Sequence, residues 1–203
     1  MQEAKVFSEI ENIFTTDDEL YQAYSEASAD TLIKGAPKEV LRYRQALWAG
    51  HDHLKQTGRF DHDYFIQIYQ KIKQTNGGIR PPIAHVYIKQ GDSGSNAGTA
   101  IYTPRGKGVL EKMLKNRMDF VNDDEQYPID PLIKMAIAHY QFEVIHPFSD
   151  GNGRTGRIFN INILTQKGLL NLPILFLSRF IIDNKNDYYS LLVSVTQRGL
   201  WKS

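Results

Sequence analysis

Apolar residues recur at helical spacing from the first turns of the chain. Val6, Phe7, Ile10, Ile13 and Phe14 share one face, which predicts a short helix near residues 3–13. Thr16 followed by Glu19 has the form of a capping box and opens a second helix over "DDELYQAYSEA". The period continues through "EVLRYRQALWAGHDHL" and "YFIQIYQKIKQ", and "TNGG" ends the latter. Between residues 81 and 104 the texture changes. "PPIAHVYIKQ" alternates weakly, "GDSGSNAG" is turn chemistry and "TAIYTP" returns to β-type residues, a pattern that predicts a β-hairpin with a long tip. In "DPLIKMAIAHYQFEVI" the helix pattern resumes, with Asp130 as N-cap and Pro131 at the first helical position. This segment is apolar over much of its circumference, which predicts a buried central helix. It ends at His146-Pro147, because proline disfavours helical geometry in the residue before it. "RTGRIFNINILTQ" forms the next helix and stops near Gly168. The expected class is all-α, a helical bundle with one hairpin inserted before its central helix.

Composition narrows the reading. The chain has 203 residues, 41% hydrophobic and 23% charged, which suits one ordinary domain with a real core. The 24 basic and 23 acidic side chains leave a formal charge of +1. No long-range field therefore favours nucleic acid or an anionic membrane, and direct nucleic-acid binding is not expected. The absence of cysteine removes disulfides and thiolate chemistry. The start has neither a basic leader nor a signal-length apolar run, and no stretch approaches the ~20 apolar residues of a membrane helix. A soluble cytoplasmic protein is the default. The chain opens directly in a helical pattern and closes on "YYSLLVSVTQRGLWKS" without a cap, so it reads as a piece of a longer one.

Chemistry concentrates in residues 146–157, "HPFSDGNGRTGR". His146 stands at a helix end, and Asp150-Gly151-Asn152-Gly153 turns into the start of the next helix. Two glycines let successive backbone N–H groups converge on an anion, and the helix start adds unpaired N–H groups and a positive dipole end. Arg154 and Arg157 lie three apart on one helix face, where both can reach phosphate oxygens. Asp150, at the rim, suits a magnesium ion bridging phosphates. His146 is the group whose ordinary pKa suits accepting a proton near neutral pH. A bare turn explains "DGNG" alone, and an EF-hand does not fit, since Arg154 stands where a ligand is needed. Cradle, metal ligand, clamps and base together suit phosphoryl or nucleotidyl transfer.

The stretch resembles the signature of the Fic (filamentation induced by cAMP) family, HPFx[DE]GNGRxxR, at every specified position. The likeness extends to "HYQFEVIHPF", the hairpin and Tyr188-Tyr189, and so to almost the whole chain. It is closest to bacterial members with an N-terminal inhibitory helix. The resemblance implies a single Fic domain over 1–203 and a protein adenylyltransferase, which moves AMP from ATP with Mg2+ to a Tyr, Thr or Ser hydroxyl of a target protein. On it His146 is the base and Asp150 the metal ligand. Gly151, Asn152 and Gly153 bind phosphates through their backbone, Arg154 takes the β-phosphate and Arg157 the γ-phosphate. Phe148 is a packed structural residue and Tyr188 lines the adenine side. The segment Gly98, Thr99, Ala100, Ile101 and Tyr102 is a flap that aligns the target as an added strand. Glu11-Asn12 resembles the inhibitory motif [ST]xxxE[GN], in which the glutamate pairs with the second arginine, here Arg157. The chain departs from it at Phe7, where Ser or Thr is usual; Ser8 and Glu11 could instead form a capping box.

Three other readings stay open. The first is a different Fic chemistry, transferring UMP, phosphocholine or phosphate or removing AMP; a phosphate-transferring relative usually carries lysine at the position of Gly153. The second is a metal-dependent phosphohydrolase built on His51, Asp52 and His53 with Asp61, His62 and Asp63, residues that otherwise read as solvated surface. The third is a non-catalytic scaffold, which would not need His146 and Arg154 in register. Trp48 and Trp201 suit a homodimer interface as well as a core.

Overall fold

A computed structural model of the chain describes residues 2–10, 13–26, 35–81 and 108–198. Every regular element among them is a helix: α1 (Gln2–Ile10), α2 (Asp17–Glu26), α3 (Ala36–Thr57), α4 (His62–Lys73), α5 (Val109–Asn122), α6 (Pro131–Ile145), α7 (Asn152–Gln166), α8 (Leu177–Asp183) and α9 (Lys185–Gln197). The all-helical class agrees with the periodicity. The hairpin expected at 81–104, with Gly98, Thr99, Ala100, Ile101 and Tyr102, lies outside the described residues, and so do Glu11 and Asn12.

The local signals act as their chemistry dictates. Thr16 N–H donates to Glu19 Oε2 at 2.8 Å and Glu19 N–H to Thr16 Oγ1 at 3.2 Å, a reciprocal capping box. Asp130 Oδ1 accepts from the N–H groups of Leu132 (2.9 Å) and Ile133 (3.3 Å), with Pro131 at the first helical position. Ser8 sits inside α1, where its hydroxyl donates to Ala4 O at 2.9 Å. It therefore does not N-cap a helix, and the capping-box account of Ser8 and Glu11 does not hold.

The central helix is α7 rather than α6. Every residue from Arg154 to Leu164 is buried, because α3, α4 and α6 all pack on α7. On α6 the last turns are buried, but Leu132, Ile133 and Ile137 lie 54%, 56% and 37% exposed. One face of those first turns meets solvent while Lys134 and Ala138 on the other are fully buried, so the all-round apolar pattern overstated the burial of α6. The core between α3, α4, α6 and α7 is aromatic. Phe60 meets Tyr64 and Phe159 edge-to-face at 5.0 Å each, and Phe65 stacks on Phe142 at 5.6 Å. Each such ring contributes about 1.5–3 kcal/mol by burial. Gly50 marks the crossing of α3 over this core: a Cβ there would lie 2.6 Å from Asn162 Nδ2, which itself donates to Tyr64 Oη at 2.9 Å.

Candidate active site

The loop between α6 and α7 is built by its own side chains. His146 ends α6 in the left-handed conformation (φ 48°, ψ 61°), which non-glycine residues seldom adopt, and its N–H donates to Phe142 O at 2.9 Å. Phe148 is fully buried and stacks flat on Tyr69 with ring centres 4.1 Å apart. Asn152 bridges the loop: Phe148 N–H donates to its Oδ1 at 2.9 Å, and its Nδ2 donates to Phe148 O at 2.8 Å. The loop is thus pinned at both ends before any ligand arrives.

Two features make this loop chemically directed. The Nδ1 of His146 lies 3.2 Å from the Glu143 carbonyl oxygen. A carbonyl can only accept, so Nδ1 carries the proton and Nε2 is the basic nitrogen of the neutral ring. The N-terminus of α7 carries no side-chain cap, and Gly151 enters it at φ 77°. The first intrahelical bond is Thr155 N–H to Gly151 O at 3.0 Å, which leaves the N–H groups of Asn152, Gly153 and Arg154 without helical partners. That is the donor arrangement an anion requires.

Charges ring this helix end. Arg154 is buried, and its Nη1 donates to Glu39 Oε2 at 2.7 Å, while the other oxygen of Glu39 accepts from Arg42 Nη1 at 2.8 Å. Arg157 is buried one turn further along α7. Asp150 forms a short ion pair with Lys73 of α4. Burial pushes the Asp150 carboxyl up, but Lys73, the Gly151 N–H and Arg154 outweigh it, and the net shift is downward. Asp150 therefore stays ionised at neutral pH.

Tyr188 reaches α6 through its hydroxyl, 2.5 Å from His139 Nε2. Burial, together with the positive charge of Arg157, pulls His139 down to about 3, so it is neutral across the physiological range. The consequence for stability follows from linkage. Below about pH 6.5 the unfolded chain takes up a proton at this position that the folded chain refuses until about pH 3. Stability is expected to fall as the pH drops through that window. Thermal unfolding of His139→Gln, which keeps a partner for Tyr188, is expected to show a shallower acid slope than the parent; equal slopes would contradict the assignment.

The structure brings His146, Asp150, Gly151, Asn152, Gly153, Arg154 and Arg157 into one loop and helix end, and it ties Tyr188 to the same helix that carries His146. Glu39, Lys73 and His139 were not singled out in the sequence, where each is an ordinary polar position in a helical run. The His-Asp pairs match the expectation of solvated surface in part: Asp52, His62 and Asp63 are exposed. His51 and His53 are buried rather than solvated, and Asp61 N-caps α4 by accepting from Tyr64 N–H at 2.9 Å, with His53 Nε2 3.0 Å away. Packing and helix capping account for them. Among the described residues no three His, Asp or Glu side chains are grouped to hold a metal. No helix among them is long and apolar enough to cross a membrane.

Comparison with known proteins places this geometry. Residues 59–164 match the sequence profile of the Fic/DOC family, and residues 1–52 match that of the Fic/DOC family N-terminal region. The protein adenylyltransferase fic-1 of Caenorhabditis elegans is 35% identical over 91 residues, 45% of this chain and 17% of that protein. A probable protein adenylyltransferase of Aquifex aeolicus is 37% identical over 93 residues, 46% of this chain and 26% of that protein. The matched region is thus about a quarter or less of the full length of these curated relatives. The crystal structure of a Fic family protein from Desulfovibrio desulfuricans superposes with a TM-score of 0.62 at 21% identity, covering 97% of this chain and 58% of that one. The E274G form of C. elegans Fic-1 superposes with a TM-score of 0.60 at 24% identity, covering 82% and 48%. By its matched profile over more than half its length, the chain belongs to the Fic/DOC family.

Proposed function

We propose that this chain is the catalytic domain of a protein adenylyltransferase, a single Fic domain over 1–203 that moves AMP from ATP to a Tyr, Thr or Ser hydroxyl of a target protein. The observation that carries the reading is the pairing of an oriented base, His146, with an uncapped helix N-terminus flanked by Arg154 and Arg157. Relatives named protein adenylyltransferases support it.

The chemistry follows from the chain's own groups. Nε2 of His146 takes the proton of the target hydroxyl as its oxygen bonds to the α-phosphorus. The bond from that phosphorus to the oxygen bridging to the β-phosphate breaks, and the electron pair leaves with pyrophosphate. The backbone N–H groups of Asn152, Gly153 and the helix start hold phosphate oxygens, and Gly151 supplies the turn that aims them. Arg154 serves the β-phosphate and Arg157 the γ-phosphate. Asp150, the carboxylate at the rim of the loop, would hold a magnesium ion. When bound, that ion would neutralise phosphate charge. Tyr188 lines the adenine side, and Gly98–Tyr102 aligns the target strand.

Glu11 and Asn12 form the restraint on this reading, with the Glu11 carboxylate taking the fork of Arg157 that a γ-phosphate would use. Two placements support it. Helix α1 packs against α3 and α8, and Lys185 at the start of α9 donates to Ile10 O at 3.5 Å, next to Glu11 in the chain. The test uses ATP labelled at the α- or the γ-phosphate, with magnesium, a bacterial lysate as target source, and Glu11→Gly beside the parent. Label retained from the α position and rising at least about tenfold with Glu11→Gly is the expected result. Label from the γ position alone would make the protein a kinase, label from UTP in its place a uridylyltransferase, and no rise with Glu11→Gly would remove the switch.

A further inference from the structure

One buried cation near the site has no part in the scheme above. Arg80 lies between α4 and α5, is 3% exposed, and hydrogen-bonds to the end of α6. Its Nε donates to His146 O at 2.7 Å, its Nη2 to Ile145 O at 3.2 Å, and its backbone N–H to Pro147 O at 2.8 Å. Three successive carbonyls, those of residues 145, 146 and 147, therefore accept from one residue.

The physical need for such a residue is specific. The last carbonyls of a helix have no helical donors, and here they lie where Ile145 and Pro147 are buried from water. The left-handed turn at His146 is a costly conformation for a non-glycine residue, and it persists only if its surroundings over-determine it. A helix C-terminus carries partial negative charge, so a cation is favoured there, and hydrogen bonds from a charged donor are about twice as strong as neutral ones. The guanidinium fork reaches two carbonyls at fixed geometry, which a lysine ammonium cannot reproduce. Helix geometry then transmits the constraint: with the backbone of residues 145–147 fixed, the imidazole stays where Nδ1–H meets the Glu143 carbonyl.

We infer that Arg80 is the positioning residue of His146, holding its backbone in the left-handed turn and thereby its ring in the Nδ1–H form with Nε2 basic. The role of His146 as a base rests on the proposed function; the orientation of its ring does not. The test compares the parent with R80M and R80K. Long-range 1H–15N spectra of the histidine-labelled chain report the tautomer, with the His146 signals assigned by their loss in H146N. AMP transfer is measured alongside. In the parent, His146 is expected as the Nδ1–H tautomer; in R80M it shifts towards a mixture, and R80K restores it in part at most. For transfer, kcat is expected to fall about 100-fold in R80M, the scale of a misplaced catalytic group, with the KM for ATP within about threefold. A general loss of packing would lower the unfolding temperature without changing the tautomer of the remaining folded protein. If R80M does not fold, R80K carries both measurements. An unchanged His146 tautomer in the folded variants overturns the inference whatever the activity, as does a KM for ATP that rises in step with the fall in kcat. A parent that transfers no nucleotide overturns the adenylyltransferase reading, and the spectra then decide on Arg80 by themselves.

Discussion

His146→Ala and His146→Asn are both expected to lower nucleotide transfer about 10³-fold, with the affinity for ATP almost unchanged. The magnitude is that of losing a positioned general base. Two neighbouring titratable side chains do not replace it. His139, two turns earlier on α6, is buried, held neutral down to about pH 3 and engaged with Tyr188. Asp150 is ionised but bonded to Lys73, and its lowered pKa makes it a poor proton acceptor. The two substitutions separate base from backbone. Alanine is strained in the left-handed turn that His146 adopts, whereas asparagine tolerates that region well. If the proton-accepting nitrogen is what matters, both variants lose activity while His146→Asn unfolds close to the parent temperature. Transfer by His146→Asn within tenfold of the parent would remove His146 as the base. Calorimetric titration with ATP completes the measurement, because the phosphate contacts proposed above lie at the helix start and the arginines, which neither change touches.

What could be seen in the chain beforehand divides along a physical line. The stretch from His146 to Arg157 is compact in sequence, so its residues stay neighbours in almost any fold that turns at Gly151. Caps such as Thr16 with Glu19 and Asp130 with Pro131 are equally local, and both form. Glu39, Lys73 and Arg80 were invisible for the opposite reason. They reach the site across 115, 77 and 66 residues of chain, Glu39 and Lys73 from helices whose periodicity says nothing about which polar side chain faces inward, and Arg80 from the segment between α4 and α5, which has no period to read. Helix α7 shows the same limit in another form. Its Thr155, Asn160 and Asn162 interrupt the apolar pattern yet are buried, since three helices surround it. Helix α5 was not anticipated at all. Its Arg117 occupies a core position, where a charged side chain argues against a buried face.

Arg117→Met is expected to stabilise the fold by about 1–4 kcal/mol, the range seen when buried ion pairs give way to apolar side chains of similar volume. On a chain of this size that raises the unfolding temperature by roughly 2–4 °C for each kcal/mol. Arg117 is 1% exposed, and none of its Nε, Nη1 and Nη2 atoms has a hydrogen-bond partner. Its guanidinium carbon sits 4.1 Å from the ring centre of Phe65, 4.5 Å from Phe159 and 4.7 Å from Phe142, a cage of three aromatic faces. Desolvation pulls the pKa of the group well below the ordinary guanidinium value. A cation–π contact is worth about 2 kcal/mol or more when dry. Removing an ion from water without hydrogen-bond partners costs several kcal/mol. Methionine fills the same slot and gains sulfur–aromatic contacts of about 0.3–1.5 kcal/mol each. Chemical denaturation of parent and variant at one pH decides between the two terms. A variant less stable than the parent by more than about 1 kcal/mol would mean that the aromatic cage outweighs desolvation, and that the charge is a structural element of the core. In the expected case the charge is a standing cost beneath Phe142 and the end of α6, and its removal leaves transfer by His146 unchanged.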